Sequence, residues 1–106
     1  MKTWYERVID AHRLVTDSVS HAQRMQSERY FVWQEDGRDD LAADNGHAEI
    51  AVTGSTDLFT KVEFDPWGKA LEEALSEAGI AWELVDVVLE EDTGFWHYSW
   101  DWTVIG

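Results

Sequence analysis

Asp65-Pro66-Trp67-Gly68-Lys69-Ala70-Leu71-Glu72-Glu73-Ala74-Leu75-Ser76-Glu77-Ala78-Gly79 is the stretch on which the fold turns. Asp65 has the side chain of an N-cap, able to accept from the orphan N–H groups of a first helical turn. Pro66 follows at the first helical position, where its missing N–H costs nothing and its fixed φ suits the helix. Trp67, Ala70, Leu71, Ala74, Leu75 and Ala78 recur at helical period and form one apolar stripe, while Glu72, Glu73 and Glu77 face water. Gly79 is placed to end the helix in a left-handed conformation.

Both flanks read as strands. Towards the C-terminus, Ile80 to Leu89 sets Ile80, Trp82, Leu84 and Val88 against Ala81, Glu83, Val85, Val87 and Leu89. Both faces are partly apolar, which predicts a central strand. Glu90-Glu91-Asp92-Thr93-Gly94 turns the chain. Phe95 to Ile105 returns with Trp96, Tyr98, Trp100, Trp102 and Val104 on one face and His97, Ser99, Asp101 and Thr103 on the other. Towards the N-terminus, His47 to Phe59 alternates with period two, and Gly54 within it predicts a bulge or bend. Arg29 to Gln34 is aromatic and β-branched, a short strand. Glu35-Asp36-Gly37 reads as a turn, and Arg38 to Gly46 as a long exposed acidic loop with Leu41 its one large apolar residue.

The chain opens on a second helix. Thr3 and Glu6 have capping-box spacing, and Trp4, Val8, Ala11, Val15 and Val19 form a stripe that predicts a helix from Thr3 to about Gln23. The expected fold is therefore α+β in the order α-β-β-α-β-β. It has an antiparallel sheet of about four strands with helices packed on one face. One sheet edge is expected to lie unpaired, a liability unless it is covered or used in assembly.

Composition narrows the function. The sequence has 106 residues, a length for one domain spanning 1–106. Its 44% hydrophobic content supplies a core despite a net charge of −14, from 22 acidic and 8 basic residues. The absence of cysteine excludes disulfides, thiolate zinc sites and thiol nucleophiles. No apolar run approaches a membrane span, and the first residues do not read as a signal peptide. So acidic a chain lacks the basic face of an ordinary nucleic-acid binder. The charge itself has three readings: a solvated surface, a partner with a basic face, or a surface that meets or imitates DNA without sticking to it.

No motif for chemistry stands out. His12, His21, His47 and His97 lack the spacing of a helical zinc pair. Glu35-Asp36-Gly37-Arg38-Asp39-Asp40 lacks the ligand alternation of a calcium loop, and Glu90-Glu91-Asp92 reads as a solvated turn. There is neither a nucleophile elbow nor a phosphate loop. The expectation is no metal, no cofactor and no enzymatic activity. Seven tryptophans remain to be explained. Trp96, Trp100 and Trp102 read first as a core layer beneath the Asp65 helix, and otherwise as part of a protein interface.

Several strings carry a resemblance. They are Tyr30-Phe31-Val32-Trp33-Gln34-Glu35-Asp36-Gly37, Asp44-Asn45 with His47-Ala48-Glu49, Gly54-Ser55-Thr56-Asp57-Leu58-Phe59-Thr60-Lys61, and Glu63-Phe64-Asp65-Pro66-Trp67. They continue through Ala78-Gly79-Ile80-Ala81-Trp82 and Glu91-Asp92-Thr93-Gly94-Phe95-Trp96-His97-Tyr98-Ser99-Trp100. Together they resemble small tail proteins of prophages of Gram-positive bacteria, most closely the tail terminator, or tail-completion, group of siphophage-like phages. The resemblance implies a structural virion protein, assembled in the host cytoplasm and residing in the tail. It implies a ring, typically of six copies, on the head-proximal end of the tail tube. Its partners would be further copies of itself, the tail tube protein and the head–tail connector. DNA would pass through without being bound, and no membrane would be involved. On this reading Glu35, Asp36, Arg38, Asp39, Asp40, Leu41 and Asp44 are expected at an interface between neighbours or towards the channel. The competing reading is an acidic DNA mimic that inhibits a host defence nuclease.

Overall fold

The computed structural model describes residues 1–42 and 48–106. Its order is α1 (Trp4–Arg13), β1 (Val19–His21), β2 (Arg29–Ala42), β3 (Ala48–Thr60), α2 (Pro66–Glu77), β4 (Ala81–Glu90) and β5 (Phe95–Ile105). The strands form one five-stranded sheet in the order β1-β2-β3-β5-β4. β1 runs parallel to β2 and every other pairing is antiparallel. The α+β class holds, with a mixed five-stranded sheet in place of the expected four antiparallel strands.

α2 forms where its local chemistry dictates. Asp65 Oδ1 accepts from the Trp67 N–H at 2.9 Å, and Pro66 opens the helix. The same carboxylate is a buried crosslink. Arg29 donates to both of its oxygens, from Nε at 2.8 Å and Nη2 at 2.5 Å, and Thr60 Oγ1 donates to Oδ2 at 2.6 Å. The Arg29 guanidinium also lies 3.8 Å from the Trp67 ring centre. Burial would raise the Asp65 pKa, but the hydrogen bonds from Arg29, Thr60 and Trp67 outweigh it and hold the carboxyl below its ordinary value. An N-cap alone contributes about 0.5–2 kcal/mol. Removing Asp65 also strands Arg29, so Asp65→Ala is expected to cost at least about 2 kcal/mol by chemical denaturation.

α1 is shorter than its stripe predicts. The Thr3–Glu6 capping box is present, but the helix ends at Arg13 with Leu14 as its C-cap. The Thr16 hydroxyl accepts from the Ser18 N–H at 3.0 Å, a local bond that competes with helix continuation. The chain leaves through this turn into β1. Val15 and Val19 keep their core contacts from outside the helix.

β2 is the second departure. Glu35-Asp36-Gly37 is a β-bulge and not a turn. Glu35 opposes Gly54 and Gly37 opposes Thr53, which leaves Asp36 as the extra residue, its carboxylate accepting from Thr53 Oγ1 at 2.9 Å. The first residues of the expected loop are therefore strand. Arg38, Asp39, Asp40 and Leu41 continue β2 to Ala42, while the remainder of that stretch, Asp44 included, lies outside the described residues.

Both helices pack on one face of the sheet. The core joins Val8 and Ala11 of α1 and Leu71, Ala74 and Leu75 of α2 to Phe31, Trp33, Leu58, Trp100 and Trp102 of the sheet. Gly54 permits the closest of these approaches: a Cβ there would sit 2.3 Å from Cη2 of Trp102. At the heart of the core lies a closed polar chain. The Trp102 indole N–H donates to Thr56 Oγ1 at 2.9 Å, and the Thr56 hydroxyl donates to His12 Nε2 at 2.8 Å. His12 Nδ1–H donates to the Val8 carbonyl at 2.7 Å, which fixes the neutral tautomer. The opposite sheet face carries a smaller cluster of Tyr30, Val32 and Phe59 with Met25 and Phe95 against it.

Candidate assembly surface

Strand order sets the outstanding feature. β4 pairs only with β5 and forms one edge of the sheet, so its outer N–H and C=O groups have no partner strand. The expectation of a central position is thereby corrected: β4 lies at the sheet edge, and the apolar residues on both of its faces are exposed. Trp82, Leu84, Val85, Val87, Val88 and Leu89 are all exposed, from 37% for Trp82 to 55% for Val85. Long apolar edge strands are uncommon in proteins that remain single, because they template pairing with another chain.

The register against β5 sorts these residues. Trp82, Leu84, Val87 and Leu89 lie opposite Trp102, Trp100, Tyr98 and Trp96, on the face that carries the helices. Glu83, Asp86, Val88 and Glu90 lie opposite Asp101, Ser99, His97 and Phe95, on the other face. Val85 is the extra residue of a bulge between Leu84 and Asp86. Trp82 is pinned by its indole N–H, which donates to Ser76 Oγ of α2 at 2.7 Å.

A groove of about 480 Å³ runs beside this strand. Its lining includes Tyr98, Trp100, Leu84, Phe64 and Glu72. The Trp100 indole N–H donates to the Glu72 carboxylate at 2.9 Å and so fixes one wall. Phe64 is the other unusual residue. It is 85% exposed and has φ +56°, a left-handed conformation that non-glycine residues seldom adopt. The Asp65 crosslink next to it holds that geometry in place. A solvent-facing aromatic lining a groove with Leu84, Tyr98 and Trp100 has the form of an interface anchor. A cavity of about 600 Å³ between α1 and α2, with Lys2, Arg7, Asp10 and Arg13 in its lining, lies on the other flank of α2.

The residues expected at an interface are elsewhere. Glu35 and Asp36 lie in the β2 bulge, separated from β4 by β3 and β5. The Glu35 carboxylate pairs with His21 Nε2 at 2.8 Å, and that hydrogen bond holds its pKa below the ordinary value. Arg38, Asp39, Asp40 and Leu41 share the same strand, so the structure does not bring this group to the exposed apolar edge. Phe64 and the edge position of β4 escaped sequence reasoning. One signal was available: Glu83 and Asp86 interrupt the β4 run with charge, as edge strands do and buried ones rarely do.

Of the three tryptophans expected as a core layer, Trp96 is only half-buried. Trp100 and Trp102 are buried beneath the helices as a core layer, whereas Trp82 contributes to the exposed edge. On the opposite face, Asp57, His97 and Ser99 cluster with the composition of a catalytic triad. Ser99 Oγ donates to Asp57 Oδ1 at 2.8 Å, and His97 Nε2 meets the same oxygen at 3.0 Å. His97 Nε2 also lies 3.5 Å from Ser99 Oγ, but with Nε2–H turned to the carboxylate it has no lone pair to accept the Ser99 proton. Among the described residues, no three His, Asp or Glu side chains converge as metal ligands, and no helix is long and apolar enough to cross a membrane.

No protein-family profile matches the chain, and no curated protein matches it. Among solved structures, the chain is similar to one in the virion of a native gene transfer agent (GTA) particle. The identity is 15%, the TM-score is 0.49, and the match covers 96% of this chain and 91% of that one. A likeness of this degree carries no functional argument by itself.

Proposed function

We propose that the protein is a structural subunit of a phage-like particle, and within that class a tail terminator that caps the tail tube and prepares it for joining to the head. The observation that carries this reading is the open, apolar edge formed by β4 with Phe64 and the adjoining groove. Such a surface suits a protein whose work is done by contact with other subunits. The resemblance of the quoted strings to tail-completion proteins supports the same class. The net charge of −14 suits a subunit past which DNA must travel without adhering. A DNA mimic, by contrast, presents carboxylates to a basic groove and has no use for an exposed strand of Leu and Val.

The charge also shapes assembly. Six copies at −14 each would bring together −84, and self-repulsion of that size opposes association in dilute, low-salt solution. The isolated protein is therefore a monomer or small oligomer, and the ring forms on the end of the tube. Deletion of the gene from an inducible prophage tests the reading. Electron microscopy is expected to show tails of uncontrolled length and few joined particles. Normal virions that have lost protection against a host defence would establish the DNA mimic instead.

A further inference from the structure

We propose that the outer edge of β4 is a docking site for an extended, cationic segment of another protein, which adds to the sheet as a sixth strand with apolar and basic residues alternating. The inference deepens the assembly reading above by naming the chemistry of the partner.

The backbone supplies the site. β4 is the outermost strand, and its outer N–H and C=O groups along Ala81–Leu89 have no partner strand; the Val87 N–H is held by the neighbouring Asp86 Oδ1 at 2.9 Å, a local bond that an incoming strand would replace. An added strand takes its affinity from those groups and its specificity from the two faces on which its side chains fall. On the helix side it would meet Trp82, Leu84, Val87 and Leu89, which calls for apolar residues. On the other side it would meet the carboxylates of Glu83, Asp86 and Glu90, with Val88 between the last two. Glu83 stands directly opposite Asp101 in the register, and both are exposed. Like charges so placed in a sheet repel. Asp86 follows on the same face. Among the described residues no Lys, Arg or His forms a salt bridge with Glu83, Asp86 or Asp101, whereas Glu90 has Arg24 at 3.6 Å. Basic side chains on the incoming strand would relieve this repulsion.

The same observations disfavour a second copy as the occupant. Another copy brings a further −14 and, with only 8 basic residues along its length, has no strand that alternates apolar with basic. The bulge at Val85 divides the edge into Ala81–Leu84 and Asp86–Glu90. A divided edge resists the indefinite edge-to-edge growth of like sheets and still accepts one short strand.

The test uses the purified full chain and two soluble synthetic peptides of the length of β4. One alternates lysine with valine and the other alternates glutamate with valine. The lysine peptide is expected to bind at least about tenfold more tightly, with amide chemical-shift changes concentrated in Ala81–Glu90. The triple variant Glu83→Lys, Asp86→Lys, Asp101→Lys, shown folded by its thermal transition, is expected to reverse the preference. Equal binding of the two peptides, shifts centred on β1 or the helices, or self-association through β4 under the same conditions would overturn the proposal. No phage enters this assay, so its outcome is separate from that of the gene deletion.

Discussion

Trp102→Ala is expected to lower stability by about 3–5 kcal/mol, the usual cost of emptying a buried aromatic site. Trp102 is 2% exposed and lies across Gly54 with Trp33 6.4 Å away, centre to centre. Its removal leaves a cavity between the sheet and the helices that the backbone at Gly54 cannot fill. It also removes the only N–H that donates to Thr56 Oγ1 among the described residues. Trp102→Phe restores most of the ring volume without the donor, so it is expected to fall between wild type and Trp102→Ala. Urea denaturation of the three proteins checks the order. Near-equal midpoints would show that the Trp102 layer does not organise the core.

Acidification is expected to produce the second large effect, through His12. The side chain is fully buried, and burial lowers its pKa from 6.5 to about 4. Above pH 6.5 the imidazole is neutral in both states and the shift contributes nothing. Between 6.5 and 4 the unfolded chain takes up a proton that the folded chain refuses, so stability falls as pH falls. A depression of that size corresponds to a loss of about 3 kcal/mol once the pH is below the folded value. Lower pH also reduces the net negative charge and relieves self-repulsion, in wild type and variants alike. The difference between wild type and His12→Gln therefore isolates the histidine. Across that window the wild type is expected to lose stability more steeply than the variant. Parallel pH profiles would refute the assignment.

What was legible in the sequence is what local chemistry decides. α2 could be read to within a residue because Asp65, Pro66 and the stripe all act within one helix. β5 could be read because strict alternation of Trp100, Trp102 and Val104 with polar residues leaves one face to bury. The misreadings were decided by partners remote in sequence. Asp36-Gly37 has the composition of a turn, and only the antiparallel partner at Thr53 and Gly54 makes it a bulge inside a longer strand. The end of α1 hangs on one hydroxyl, Thr16, set against an apolar stripe that continues past it. The position of β4 depends on which flank of β5 takes β3, and within β4 itself only the charges of Glu83 and Asp86 point to an edge. The acidic stretch from Glu35 reads as a long loop and hence as a candidate interface, while the exposed apolar surface lies at the far edge of the sheet.

We propose that this protein meets its particle through the β4 edge. Complementation of the gene-deleted prophage with the double variant Leu84→Glu, Val87→Glu tests it most directly. Both residues are exposed at the edge and on the helix side of β4, outside the buried core, so the variant is expected to stay folded, as a cooperative thermal transition checks. Electron microscopy of the induced lysate is expected to show tails of normal length joined to heads with the wild-type gene, and overlong, unjoined tails with the variant. Normal joined virions from a folded double variant would contradict the account.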